Sequence, residues 1–294
     1  MSAERQRPAR RAIYDSILWS LLAVLLVGVL TFDRSEWRSL IGDEATYLMA
    51  SESLAWDFDL RFERRDHDRF VEHWQQPPEG LILQSGDGGA TITFGKPFFY
   101  PLWAAPFSRL SPSHGPFVAN FVVLAMAALL ATRTLRQTVG AIAPVWVAAC
   151  VFASVTFAYT FWAHADLFLL SLTAMALSLA FWRPSSEVGW RWALIGALVA
   201  IVVFSRPLYL PLILPIVFVL PRDTRWRSAA ALAIGALGLT LAAAIVHRLN
   251  GDAWTSYGAQ RRGFYSSTGF PGVDMPVETW QQSLDDLGDA SWAE

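Results

Sequence analysis

The sequence predicts an all-α polytopic membrane protein with about seven transmembrane helices and a large extracytoplasmic first loop that carries interfacial helices. Three observations predict it. Of the 294 residues, 54% are hydrophobic and only 16% are charged, and mean hydropathy is +0.34, the profile of a chain that buries apolar surface in lipid. Apolar runs recur at lengths close to that of a membrane span. Arginines fall in alternate connections between those runs, which the positive-inside rule reads as a topology.

The first run, Ile13 to Phe32, carries one charge, Asp15, near its start. At a rise of 1.5 Å per residue such a run crosses a hydrocarbon core of about 30 Å. It lacks the small-residue cleavage site of a signal peptide, so it reads as an uncleaved anchor behind a cytoplasmic tail, residues 1–12. Further apolar runs cover 116–132, 141–162, 165–182, 192–204, 207–220 and 228–247, which sets a transmembrane domain at 13–247. Residues 192–220 read either as one long helix kinked at Pro207 and Pro211 or as a hairpin of two short arms, and cationic residues at both ends favour the hairpin.

Orientation follows from the arginines. Arg5, Arg7, Arg10 and Arg11 precede the first run; Arg133 and Arg136, then Arg183 and Arg191, then Arg222, Arg225 and Arg227 mark later connections. The rule puts all of these in the cytoplasm, N-terminus included, for a multi-pass protein of the cell (inner or plasma) membrane. The turn Trp162 to Ala165 has neither Lys nor Arg and reads as external. The long segment 33–115 and the tail 248–294 are then extracytoplasmic. A net charge of -2 and arginines spread over loops give no electrostatic case for nucleic acid. The single cysteine, Cys150, excludes an intrachain disulfide. No internal repeat, metal-type Cys/His spacing, Walker loop or GxGxxG is present.

Polar chemistry concentrates in the first loop. Asp43 to about Trp56, with Ala45, Leu48, Met49, Leu54 and Ala55, predicts a short amphipathic helix on the membrane surface, with Asp43 as its N-cap. Asp57-Phe58-Asp59 and the charged stretch Arg61 to Asp68 follow. Gln76-Pro77-Pro78-Glu79-Gly80 and Ser85-Gly86-Asp87-Gly88-Gly89 read as turns. The loop ends in Gly95-Lys96-Pro97-Phe98-Phe99-Tyr100-Pro101-Leu102-Trp103, whose composition suits an interfacial or re-entrant segment.

In order and sidedness these features resemble the GT-C superfamily of polytopic glycosyltransferases, in its protein-mannosyltransferase and aminoarabinose-transferase (family 39-like) branch. Asp43-Glu44-Ala45-Thr46-Tyr47 matches that branch's Asp-Glu-x-x-Tyr motif after the first helix. Lys96-Pro97-Phe98-Phe99-Tyr100-Pro101 matches its Lys-Pro-aromatic segment, although a second proline often stands where Phe98 does. His164-Ala165-Asp166-Leu167 matches an Asp at the outer start of the fourth helix, and Ser205-Arg206-Pro207 a cation before proline late in the next span. Such enzymes usually continue through more helices into an outer domain, so the resemblance implies a truncated member.

The resemblance implies an inverting transfer of a sugar from a polyprenyl-phosphate donor to an extracytoplasmic glycan, lipid or protein. Such a reaction needs a base on one side of the anomeric carbon and positive charge on the other. Asp43 is the expected base. Glu44 is expected to orient the acceptor or tune Asp43, since neighbouring carboxylates push their pKa values apart. Lys96 and Arg206 would neutralise the departing phosphate, with Tyr47, Tyr100, His164 and Asp166 as further substrate contacts. If a divalent cation takes part, Asp43 and Asp166 are its expected ligands.

Each residue also has a plainer reading. Asp43-Glu44 would be a solvated helix cap, Lys96 and Arg206 snorkelling cations, His164 and Asp166 capping residues, and Asp57-x-Asp59 solvated rather than metal-binding. Lys96 is nevertheless the one lysine in the chain. The alternative function is a catalytically inactive or truncated lipid-binding membrane protein. A transporter is disfavoured because the runs hold few polar residues except at their outer ends.

Overall fold

The computed structural model describes residues 3–34, 40–86, 91–183, 189–251, 253–255 and 261–264. Its helices are α1 (Ala3–Thr31), α2 (Asp43–Trp56), α3 (Arg64–Trp74), α4 (Phe99–Leu110), α5 (Gly115–Val139), α6 (Ala143–Phe152), α7 (Thr156–Tyr159), α8 (Ala165–Phe181), α9 (Gly189–Ser205), α10 (Ile213–Phe218) and α11 (Arg225–Asn250). Short 3-10 turns span Gly140–Ile142 and Pro207–Leu212, and the described residues also form three strands, β1 (Leu81–Gly86), β2 (Thr91–Phe94) and β3 (Arg261–Phe264). The chain forms two compact units: Met1–Thr31 with Asn120–Trp162 and Asp166–Ala242, and Phe32–Ala119 with Ala163–Ala165 and Ala243–Glu294.

The first unit is built from apolar helices. Among the described residues, Arg11–Thr31, Gly115–Phe152 and Arg225–Asn250 are long and apolar enough to cross a membrane. The other apolar helices, Ala165–Phe181, Gly189–Ser205 and Pro207–Phe218, are shorter than 18 residues. In Arg225–Asn250 only 6% of the apolar window is buried, and Ile234, Leu237 and Leu241 are 71%, 70% and 61% exposed. A helix so apolar and so uncovered suits lipid as its solvent rather than water.

The alternatives for 192–220 resolve at Arg206. Pro207 offers no N–H and disfavours helical geometry in the residue before it, and Arg206 is extended, with φ -147° and ψ 102°. The helix stops at Ser205, and the chain folds back so that Ile216 and Leu220 share a core with Trp192, Ile195 and Val199. This is the hairpin. Against α9 lies α11, where a Cβ on Gly196 would run into the Leu232 carbonyl and one on Gly235 into the Ala193 carbonyl. Backbone touches backbone there, a contact typical of helices that pack without a hydrophobic drive between them.

Elsewhere in this unit Leu18 and Leu22 of α1 pack on Ala128 of α5 and on Val147 and Ala148 of α6. The polar helix ends are cross-linked. Asp15 pairs with Arg136, the Arg133 guanidinium lies 4.6 Å from the Trp182 ring centroid, and Arg191 Nη1 donates to the Trp182 carbonyl at 2.6 Å.

The second unit corrects three expectations. The fold is mostly helical but not all-α: β1 pairs antiparallel with β2 on one edge and with β3 on the other, in the order β2-β1-β3. Leu83 faces Phe94 and Leu81 faces Phe264 in register. Ser85 and Gly86, expected in a turn, end β1, while 87–89 of that expected turn lie outside the described residues. Second, α2 is no surface helix. Every residue from Glu44 to Ser53 is buried, and so is Ala55. Its hydroxyls make this tolerable, because Thr46 Oγ1 donates to the Gly42 carbonyl at 2.7 Å and Ser51 Oγ to that of Tyr47 at 2.6 Å. Third, Gly42, not Asp43, is the N-cap. Its φ of +65° favours glycine, and Asp43, as the first helical residue, has its carboxylate available for other partners.

Candidate functional site

Asp43 and Glu44 open α2, where helix-end N–H groups favour negative charge, and their side chains have separate partners. Lys96, two residues beyond β2, donates from Nζ to Asp43 Oδ1 at 2.6 Å. His164, just ahead of α8, brings Nε2 to 3.1 Å from Asp43 Oδ2. The strand delivers Lys96 because the Gly95 N–H bonds the Ile82 carbonyl at 2.8 Å, extending the β1–β2 ladder to its threshold. Lys96 is 15% exposed and His164 7%, against 31% for Asp43. The carboxylate is therefore reachable while its partners are enclosed.

These contacts set the charge of Asp43. Burial alone raises a carboxyl pKa, but the hydrogen bonds and charges of His164 and Lys96 outweigh it and hold Asp43 at about 2. Tyr47 and Tyr100 wall the same place. Their rings meet edge to face at 5.3 Å, and Tyr47 meets the His164 ring likewise at 5.5 Å.

Glu44 turns inward. It is 4% exposed and forms a fork with Arg34, Nε to Oε1 at 3.2 Å and Nη2 to Oε2 at 2.6 Å. Its Oε1 also lies 3.5 Å from the Ala163 N–H, next to His164. Sequence reasoning missed Arg34. The signal was available: an arginine just past the first apolar run, on the side where the positive-inside rule expects few, asks for a carboxylate partner.

Asp166 and Arg206 belong to the first unit and pair with each other, Nη2 to Oδ1 at 2.5 Å. The expected site residues thus form two groups, Asp43, Glu44, Tyr47, Lys96, Tyr100 and His164 in one unit and Asp166 with Arg206 in the other. As a cation site the donor set does not fit: Asp43 and Asp166 are each neutralised by a basic side chain, and the described residues hold no group of three His, Cys, Asp or Glu placed to bind a metal. Asp57 and Asp59 are taken by arginines, Arg69 at 2.6 Å from Asp57 and Arg65 at 3.3 Å from Asp59.

On α3, Asp66 accepts the Glu63 N–H at 2.8 Å and closes a capping box. Burial nonetheless pushes its carboxyl up to about 7, against the Glu63 N–H and Arg69. His73 lies 3.2 Å from the buried Glu52 carboxylate, which raises its pKa despite burial. No family model, curated protein or solved structure matches the chain.

Proposed function

We propose that the protein is a GT-C-like membrane glycosyltransferase that moves a sugar, with inversion, from a polyprenyl-phosphate donor to an extracytoplasmic acceptor. The observation that carries this reading is the convergence on Asp43 of Lys96 and His164, from motifs that resemble those of that superfamily. The grouping of the chain also supports it. The segment 33–115 and, from the turn before Asp166, Ala163–Ala165, which the arginine pattern sets outside, fall in one compact unit. The reading includes about seven spans with the N-terminus in the cytoplasm.

In the reaction the acceptor oxygen forms a bond to the anomeric carbon as the bond from that carbon to the phosphate oxygen breaks. The acceptor proton passes to Asp43, and the polyprenyl phosphate leaves with the electron pair. At a pKa of about 2 the resting Asp43 is a poor base, because a base works best with a pKa near the operating pH. A donor phosphate supplies the remedy. It draws Lys96 onto its own oxygens, which removes a lowering contact from Asp43 and places a cation where charge develops. Glu44, enclosed with Arg34, positions the His164 segment rather than touching the acceptor.

The test is sugar transfer from a polyprenyl-phosphate donor in proteoliposomes. Asp43→Asn is expected to lower the rate by about 10² to 10⁴-fold, the usual contribution of a general base, with membrane insertion intact. Unchanged transfer would remove Asp43 from the mechanism.

A further inference from the structure

α4 has two apolar faces, and only one of them is buried. Phe99, Tyr100, Pro101, Ala104, Ala105 and Ser108 are enclosed, with Tyr100 set against Tyr47 of α2. On the other side Leu102 is 52% and Leu110 85% exposed. Pro106 is exposed between them, and Trp103 and Phe107 flank the stripe half-buried. The spacing of 102, 106 and 110 is that of one helix face. A water-facing helix would carry charge there. This one carries a single cation at its end: the Arg109 guanidinium lies 5.3 Å from the Trp56 ring centroid and has no carboxylate partner among the described residues.

We infer that this outer face of α4 lies on the lipid bilayer, with Leu102, Pro106 and Leu110 among the acyl chains and Arg109, stacked on Trp56, holding the phosphate of an anionic phospholipid headgroup. The occupant is argued from continuity. α5, the start of the apolar stretch Gly115–Phe152, follows the end of α4 at Leu110 after four intervening residues, roughly one helical turn of chain. A Cβ on Gly115 would run into the Phe107 carbonyl, so the head of α5 is packed directly on α4. The Trp103 indole also donates to the Ala119 carbonyl of α5 at 3.0 Å. α4 therefore stands at the level where that apolar stretch begins, the interfacial depth at which apolar side chains and a snorkelling cation are both accommodated. An arginine stacked on an aromatic ring, with no carboxylate partner among the described residues, suits phosphate there. The inference rests on the membrane reading alone and stands whether or not the protein transfers sugar.

The experiment uses the full chain in lipid nanodiscs. With Cys150→Ala removing the only cysteine, Leu110→Cys, Leu102→Cys and, as a control at the exposed Glu72 of α3, Glu72→Cys are labelled with bimane. Brominated acyl chains are expected to quench the probes on α4 at least threefold more than the control. Quenching of the α4 probes by aqueous iodide, with none from brominated lipid, would overturn the placement. Disulfide cross-linking of two chains through Leu110→Cys would overturn it too, in favour of a second copy as the occupant. For the headgroup, native mass spectrometry of protein from discs with phosphatidylglycerol should show severalfold fewer anionic-lipid adducts for Arg109→Gln than for the parent. Equal adducts would refute the role of Arg109.

Discussion

Arg34 and Glu44 form a two-bond fork in a place where both are enclosed, with side chains 12% and 4% exposed. A buried ion pair adds little over an apolar pair of the same size, yet removing one partner strands the other charge. Arg34→Met is therefore expected to cost about 3–5 kcal/mol and to lower the thermal midpoint in detergent, whereas Arg34→Met with Glu44→Met together should regain most of the loss. A double variant no more stable than the single one would show that Glu44 is held by something other than Arg34.

The Asp43–Lys96 pair has an acid-side signature. With a pKa held at about 2, below its usual 3.8, Asp43 contributes stability that is present above about pH 4 and is lost as pH falls through about 2. Lys96→Met removes one of the two groups that lower it. The acid-side loss of stability should then be smaller and end at higher pH, its onset still set by the ordinary carboxyl of the unfolded chain, read by tryptophan fluorescence during acid titration. An identical limb in both proteins would mean that Lys96 does not set the charge of Asp43.

How much of this was legible in the sequence depends on what each feature rests on. Asp43 could be picked out because a carboxylate pair beside an apolar run demands a reason, whereas Lys96 and His164 were reached through the motifs that resemble those of the GT-C superfamily. Arg34 could have been found on the ground that served for Asp43. The sheet was also readable: Leu81 to Leu83 and Thr91 to Phe94 are apolar or β-branched segments on either side of Asp87-Gly88-Gly89, a hairpin signal that reading the glycines as turns alone leaves unused. The burial of α2 was not legible. Its serines and threonines look solvent-facing, and only contact with α4, α3 and β1 shows that they satisfy their hydroxyls locally and pack inside. The division into two units rests on long-range contacts between segments such as Ala163–Ala165 and Phe32–Ala119, which periodicity cannot report.

The joint between α2 and α3 should loosen as pH rises. Asp66 is raised to about 7 from 3.8, so the folded state holds its proton more tightly than the unfolded chain. That stability is fully present below about pH 4 and is lost as pH rises through about 7. His73, raised above 6.5 by Glu52, acts in the same sense: its share is present below about pH 6.5 and lost above its raised value. Hydrogen-exchange protection of α3 amides, corrected for intrinsic rates, is expected to fall between pH 5 and pH 8. Asp66→Asn should flatten the profile. Protection that climbs with pH would contradict both assignments.

The α9–α11 crossing depends on the absence of two side chains, and a third glycine on the same helix serves as its control. A Cβ at Gly196 or Gly235 meets a carbonyl of the opposite helix, whereas one at Gly238 meets nothing within 4 Å. Carbonyl oxygens of a helix cannot rotate away, so relief requires the two backbones to separate and gives up the packing that holds them. Gly196→Ala and Gly235→Ala are each expected to destabilise by about 1–3 kcal/mol, the usual cost of overpacking. Gly238→Ala should be neutral or stabilising by up to about 1 kcal/mol through helix propensity. Thermal unfolding of the three variants in one detergent makes the comparison, since any general effect of replacing glycine in a helix would move Gly238→Ala as well. Three equal midpoints would mean that α9 and α11 do not meet at these glycines.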